Sequence, residues 1–331
     1  MSGDTARRLL LALSAHAPRS GSELASRAGV TRAAVWKQVE ALRAAGVAIE
    51  AQAGRGYRLT APVELLDAEA IAALLPAALR RRLGGVEVHW QIDSTNSALL
   101  RAAPTDARAL AACFAERQSQ GRGRRGRTWH MPLGGGIALS LRRRFDTGMA
   151  GLAGLSLAVG VAVVRALEAC GVPGCGLKWP NDVVVGERKL AGILIEGTGE
   201  AHGPCEAVIG IGLNLRLGAG AEAIGQPWID LAGLVGAAMP GRNALAAQLL
   251  IAVVAATDAF AVDGLRSFAA EHARLDTLAG RPVRVLGTAA ERSGIARGID
   301  ADGRLRVQGA AGEFVVDSGE VSVRADAGER A

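Results

Sequence analysis

A chain of 331 residues with 50% hydrophobic content, only 3% aromatics and a net charge of +6 holds material for two or three domains packed on aliphatic side chains. Cys113, Cys170, Cys175 and Cys205 form no CxxC pair and the histidines no HExxH or finger spacing, which excludes a disulfide scaffold and the common zinc folds in favour of buried reduced thiols. No apolar run reaches the roughly 18 residues of a membrane span and no secretory leader is recognisable, so the chain reads as cytoplasmic, with no membrane partner.

Residues 4 to 16 read as a helix with Leu9, Leu10 and Leu13 on one face, stopped by Pro18. Ser20 and Glu23 form a capping box for a second helix, and Gly29 suits its end. A third helix follows Thr31, burying Val35, Val39 and Leu42 at i, i+4 and i+7. Two helices joined by so short a turn, the second leaving Arg32, Trp36 and Lys37 on its outer face, are the parts of a helix-turn-helix. Extended segments 47 to 52 and 57 to 60 flank Gly54-Arg55-Gly56, a hairpin with a cationic tip that supplies a wing.

From Met1 to Thr60 nine Lys or Arg stand against four acids, a surplus of +5 out of the chain's +6. Nucleic acid is the partner such a surplus favours, with Arg32, Trp36 and Lys37 at the major groove and Arg55 and Arg58 on phosphates or the minor groove. A helical packing module with a merely solvated charged face is the alternative.

Ala61-Pro62 closes this module, giving expected boundaries of 1-62 for a winged helix and 63-82 for a helical connector. From residue 83 to 276, strand-like and helix-like segments alternate irregularly: extended structure at 86 to 90, a helix after Asp93-Ser94-Thr95-Asn96, and an apolar strand at 136 to 141. A long apolar helix at about 151 to 170, strands near 183 to 185, 192 to 196 and 207 to 213, and a helical stretch at 243 to 273 follow. The irregular alternation predicts a mixed sheet backed by helices, not a regular parallel array. Short alternating runs bounded by Gly or Asp-Gly over 277-326 predict a small antiparallel barrel or sandwich.

The most informative stretch is GRGRRGR at 121 to 127, with KWPND at 178 to 182 and RKLAG at 188 to 192. Glycines let backbone approach a ligand and adopt positive φ, while Arg122, Arg124, Arg125 and Arg127 supply forked donors for carboxylate or phosphate. Only three of the 38 basic residues are lysines, Lys37, Lys178 and Lys189. In a chain that writes Arg wherever a plain positive charge suffices, such lysines point to places that need a compact, mobile ammonium. Ser94-Thr95-Asn96 reads on its own as a helix cap, and Trp129 as either a core residue or a stacking platform.

DSTN at 93 to 96, GRGRRGRTW at 121 to 129, KWPNDVVV, RKLAGILIE and GIGLNL at 210 to 215 occur in the order and spacing of a known family. The whole chain resembles the bifunctional biotin protein ligases that also repress the biotin operon, the BirA type. The resemblance implies an α+β multidomain fold: a winged helix-turn-helix, then a class II synthetase-like mixed α/β catalytic domain, then a small SH3-like β-barrel.

It further implies formation of biotinyl-5'-AMP from biotin and ATP with Mg2+, and transfer of biotin to a lysine on the biotin carboxyl carrier protein of acetyl-CoA carboxylase. A homodimer would form on adenylate binding and seat two winged helices on operator DNA. Lys189, Arg124 and Lys178 are the implied catalytic cations, Lys189 lying between biotin carboxylate and α-phosphate. Ser94, Thr95, Asn96, Gln118, Arg122, Gly123, Arg124, Lys189 and Gly192 would hold biotin. Arg124, Arg127, Trp129, Lys178, Asn181, Asp182, Asn214 and Arg324 would hold the nucleotide, and Asp182 the Mg2+.

Three rival readings remain at this level. A lipoate-type ligase also adenylates a carboxylate, a pure sensor would bind the adenylate without making it, and a ligase with a merely structural winged helix would lack the repressor role.

Overall fold

The computed structural model describes residues 3–102, 110–199, 203–218, 221, 224–287, 291–319 and 322–325. The N-terminal module holds α1 (Gly3–Ala12), α2 (Gly21–Ala28), α3 (Arg32–Ala44) and the hairpin of β1 (Ile49–Gln52) with β2 (Gly56–Leu59). Ser20 and Thr31 cap α2 and α3 through their side chains, and Gly29 closes α2 at φ 67°. α1 ends four residues sooner than its apolar periodicity suggests. Ser14 ends it: its hydroxyl accepts from His16 N–H and Ala17 N–H, while its carbonyl is claimed by Leu59 N–H at 2.9 Å. At Gly56 a side chain is impossible on two counts, a φ of 106° and a virtual Cβ only 2.0 Å from the Arg19 carbonyl oxygen. Gly56 thus lets the wing lie against the chain entering α2, where Arg19 and Tyr57 exchange backbone hydrogen bonds.

The stretch expected as a connector is part of the central core. α4 (Ala68–Leu74) and α5 (Ala77–Arg82) bury Ile71 and Leu79 beside Leu66 and Leu75, because their apolar spacing faces the sheet. The sheet has seven strands in the order β3-β4-β5-β9-β8-β7-β6: β3 (Leu83–His89), β4 (Leu110–Ala115), β5 (Gly136–Phe145), β6 (Gly176–Lys178), β7 (Asp182–Val185), β8 (Arg188–Gly199) and β9 (Cys205–Asn214). Only β3 and β4 pair in parallel, across α6 (Thr95–Arg101), so the sheet is mixed as predicted.

Alternation along β5 sends Ile137, Leu139 and Leu141 into the main core and Ser140 and Arg142 to the opposite face, against α6. The core face is covered by α7 (Leu155–Ala169) and α9 (Arg242–Asp263). Here the reading of apolar run lengths is corrected: the helical stretches Met149–Ala169 and Arg242–Leu275 are both long and apolar enough to cross a membrane. Their most apolar windows are 67% and 56% buried inside this fold, the pattern of core helices.

α8 (Leu231–Val235) and α10 (Ala269–Leu275) complete the central unit. The C-terminal unit is an antiparallel sheet in the order β13-β12-β11-β10-β14, comprising β10 (Pro282–Leu286), β11 (Arg292–Ile299), β12 (Leu305–Gly309), β13 (Gly312–Val316) and β14 (Ser322–Ala325). Its buried residues, among them Val283, Leu305 and Val316, belong to the same continuous core as the central sheet. Trp179, buried at the end of β6, donates its indole N–H to Gly303 O at 2.9 Å and ties the two units together. The winged helix keeps a core of its own around Leu9, Leu24, Val35 and Val39, to which, among the described residues, Leu65, Leu133 and partly buried Val63 and Trp90 contribute from beyond the wing. All four cysteines are free, three buried; Cys170 departs from expectation in being partly exposed.

Candidate active site

Strand register builds the floor of the site. On the α6 face, pairing places Ala115 beside Ala138, Ala138 beside Gly212, Gly212 beside Gly192, Gly192 beside Asp182 and Asp182 beside Lys178. Four small residues in a row leave a trough on the sheet, and it ends in a carboxylate and an ammonium. Lys189 reaches the same face through a β-bulge: Asp182 pairs with Gly192 and Val183 with Ala191, but Val184 pairs with Lys189, so β8 carries one residue more than β7. Residues three apart on a regular strand point oppositely, and the bulge is what lets Lys189 and Gly192 share a side. Lys189 Nζ lies 2.6 Å from Asp182 Oδ1 and 5.6 Å from the centroid of the Trp129 ring.

One end of the trough is polar. Thr95 N–H and Oγ1 both donate to Gln118 Oε1, at 2.9 and 3.1 Å. Ser140 Oγ lies 2.7 Å from Thr95 Oγ1 and 2.5 Å from Asn96 Oδ1. Asn96 Nδ2 donates to Glu196 Oε2 at 2.8 Å, and Glu196 Oε1 accepts from Arg122 at 3.0 Å. Gly210 gives Asn96 its place, since a Cβ there would fall 2.4 Å from Asn96 Oδ1. Ser94 caps α6 by accepting from Ser97 N–H, so the cap reading of this motif holds while its neighbours line the cavity.

The basic loop is tied back on itself. Gly123 N–H donates to Arg127 O at 2.7 Å, Trp129 N–H to Gly121 O at 2.8 Å, and Arg122 bridges to Thr128. Arg125 sits in the left-handed region at φ 59°, a conformation that costs a non-glycine residue on the order of 1 kcal/mol. From this loop Arg124 donates to Asn181 Oδ1 at 3.4 Å, to Gly319 O at 2.9 Å and to Ser318 O, joining the loop to the C-terminal unit. Burial pulls the Arg124 pKa below its ordinary value; nearby Asp182 opposes this, and Arg125 and Arg127 add to it. Trp129 lies on the glycines of the floor, where a Cβ at Gly212 would meet its ring at 2.3 Å and one at Gly192 at 3.1 Å.

These walls enclose a cavity of about 690 Å³. Ser94, Thr95, Asn96, Gln118, Arg122, Gly123, Arg124, Arg127, Trp129, Lys178, Asn181, Asp182, Lys189 and Gly192 all line it. Two expected residues do not fit the pattern. Asn214 stands outside the lining, its Nδ2 donating to Lys189 O at 3.3 Å and Ile229 O at 3.1 Å, so it braces the backbone of the lysine. Arg324 pairs with Arg284 on β14, but its side chain lies outside the described residues. The motifs gave no notice of Ser140, which reaches the polar end through strand register, or of the Ser318 and Gly319 carbonyls, and Glu196 ends the RKLAGILIE motif but was assigned no role there.

The comparisons agree with this layout. The biotin/lipoate A/B protein ligase family model matches residues 88–214, an HTH domain model residues 5–58, and the biotin protein ligase C terminal domain model residues 279–324. The bifunctional ligase/repressor BirA of Salmonella typhimurium strain LT2 is 39% identical over 292 residues, 87% of this chain and 88% of that protein. Its namesake in Escherichia coli K12 is 38% identical over 312 residues, covering 93% and 94%. This chain belongs to the BirA family of biotin protein ligases. A solved family member, the biotin protein ligase from Aquifex aeolicus in complex with biotin and ATP, matches at 26% identity and a TM-score of 0.63, over 72% of this chain and 99% of that one.

The outer face of the winged helix carries most of the residues expected to meet DNA. Arg32, Trp36, Lys37 and Arg55 are exposed there. Arg58 is not at liberty in the same way, because its guanidinium meets Glu50 Oε2 across the hairpin at 2.9 Å.

Proposed function

We propose that this chain makes biotinyl-5'-AMP from biotin and ATP, transfers the biotin to a lysine on the biotin carboxyl carrier protein of acetyl-CoA carboxylase, and with the adenylate bound represses transcription through its winged helix. The observation that carries the reading is the convergence of Lys189, Asp182, Lys178 and Arg124 on one glycine-floored trough whose other end is a hydrogen-bonding polar pocket. A ureido ring fits that polar end, which offers both donors and acceptors at Thr95, Asn96 and Gln118, whereas a dithiolane has no use for them; this favours biotin over lipoate.

With the ring held there, the valeryl tail runs along the glycine floor and its carboxylate meets the Lys189 ammonium. Attack of a carboxylate oxygen on the α-phosphorus breaks the bond to the β-phosphate and expels pyrophosphate. Both reactants are anions, and the barrier is their repulsion. Lys189, held by the Asp182 carboxylate, and Arg124, partly desolvated and held by two backbone carbonyls, supply fixed positive charge where negative charge accumulates. Trp129 offers a face to adenine, and Lys178, Asn181 and Arg127 serve the phosphates. Asp182 with the substrate phosphates is the hard-oxygen donor set that Mg2+ takes, and the ion would neutralise phosphate charge there.

In the second step the amine of the carrier lysine attacks the acyl carbon, the carbon–oxygen bond to AMP breaks and the amine gives up a proton. Arg122, bonded to Ser97 and Glu196, and Arg124, bonded across to the C-terminal unit, keep the loop over the mixed anhydride and water away from it. The domain limits consistent with this are 1-62, 63-82, 83-276 and 277-326, the second packed within the third and residue 326 outside the described residues. A homodimer on palindromic operator DNA, in the cytoplasm, completes the reading.

Biotin-dependent exchange of labelled pyrophosphate into ATP, followed by label transfer to a carrier domain, tests the enzyme. Exchange with lipoate and none with biotin would remove the substrate. Adenylate-dependent retention of the chain's own upstream DNA tests the repressor.

A further inference from the structure

The recognition surface of α3 is less polar than a reader of base edges by hydrogen bonds would need. Its outer face presents Arg32, Ala33, Trp36, Lys37 and Glu40. Helical spacing makes Ala33 and Trp36 neighbours at i, i+3, with Arg32 above Trp36 and Lys37 below Ala33 at i, i+4. Trp36 is 62% exposed, among the few large apolar side chains left in solvent by the described residues. The polar members are partly engaged elsewhere. Glu40 Oε1 accepts from Arg43 at 2.7 Å, and the Arg32 stem runs back along the start of α2, where a Cβ on Gly21 would meet its Cγ and Nε at 3.6 Å. What faces outward in the first turns of the helix is a methyl and an indole between two cations.

A major groove offers one apolar feature, the C5-methyl of thymine; every other discriminating feature is a donor or an acceptor. Cations at the rim of the strip, with Arg55 exposed at the wing tip, match phosphates on either side. We propose that Ala33 and Trp36 form an apolar reader that selects thymine, by its methyl group, at adjacent positions of the half-site. The inference rests on the DNA-binding role proposed above. It adds to that role the base class that is recognised and the side chains that recognise it. The indole N–H is the strip's one hydrogen-bond donor and adds orientation, but the methyl carries the choice.

The test uses the full-length protein with biotin, ATP and magnesium. Duplexes retained from a random library are sequenced, resynthesised with deoxyuridine for thymidine at one position at a time, and titrated. Deoxyuridine keeps every donor and acceptor of thymidine and deletes only the methyl. At one or two positions per half-site the substitution should weaken binding by about four-fold, the worth of one buried methyl-sized group, with no effect elsewhere. Trp36→Gln, checked for folding by its melting curve, should abolish the sensitivity at the position Trp36 reads and leave it at the position Ala33 reads. Uridine substitutions harmless throughout, or equally harmful in Trp36→Gln, would overturn the proposal while leaving DNA binding in place. Retention of no duplex under any ligand condition would remove the DNA-binding reading and this inference together.

Discussion

The winged helix and the ligase units are joined in one chain but held together differently. Central and C-terminal sheets share one continuous apolar core, stitched by Trp179 to Gly303 and by Arg124 to Gly319, whereas the winged helix closes around its own leucines and valines. Its link to the rest is a narrow seam. Leu133 N–H donates to Ala45 O at 2.9 Å and Arg7 faces Asp67 at 3.9 Å, while just past the wing Arg242, buried with Glu116, donates to the Glu64 carbonyl. The difference teaches that the catalytic cavity depends on the C-terminal unit for its cover, while the DNA-facing surface can lose its fold without opening the cavity.

The largest effect should come from the cavity itself. Lys189→Ala removes the ammonium against which two anions meet, and pyrophosphate exchange should fall by about a hundred- to a thousand-fold, as when one oriented charge donor is deleted from a preorganised site. Because Asp182 Oδ1 is buried with no other partner among the described residues, the melting curve should fall as well, so exchange is read well below the melting temperature. Retention of exchange near the parent rate would detach Lys189 from chemistry.

Paired core truncations break or sharpen the comparison directly. Leu24 and Leu305 are both fully buried, one in each core. Each Leu→Ala change should cost about 2 to 5 kcal/mol, the usual range for a cavity of that size. Leu305→Ala should lower the transition that also reports loss of ligase activity, and Leu24→Ala should lower only the transition of the winged helix. A single transition shifted equally by both would mean that the two cores fold as one. A smaller change, Arg124→Gln, keeps a donor but loses the charge. Release of the adenylate should quicken by about ten-fold, the worth of a charge-assisted hydrogen bond, measured by dilution of the loaded enzyme.

Legibility in the sequence followed the distance over which each feature is determined. Caps at Ser20, Thr31 and Ser94 are local, and each stood where its residue type predicted. Lys189, Asp182, Trp129 and the loop arginines were marked by dense motifs, and the cavity gathers them. Ser140 carries no local signal, and Glu196 closes the RKLAGILIE motif without a role being read for it, because what places both beside Asn96 is the pairing of β5 with β9 and of β9 with β8. Asn214 differs for the opposite reason: its motif is plain, but its Nδ2 is engaged by two backbone carbonyls that only the fold brings near. The end of α1 was missed because Ser14 is taken by a strand forty-five residues on, and the connector because amphipathic spacing tells that a face is buried without telling against what.

The finest distinction between the halves is their response to acid. His272 on α10 is 1% exposed, neither ring nitrogen has a hydrogen-bond partner, and burial lowers its pKa below the usual 6.5, with Asp276 only partly opposing. A group whose folded pKa is depressed resists the proton that the unfolded chain accepts. Stability is therefore whole above about pH 6.5 and falls as pH drops below it, by at most about 1.4 kcal/mol per pH unit for one proton. Urea unfolding of the ligase transition at pH 7.5 and 5.5 should show this loss, and His272→Gln, which cannot take up the proton, should flatten it. Since His272 is buried on α10, whose Leu275 belongs to the central core and not to that of the winged helix, the winged-helix transition should be indifferent to the substitution at either pH. If instead the winged-helix transition changed its acid response with His272, the seam at Arg242 would have to transmit protonation between cores, and the separateness argued from their packing would be lost.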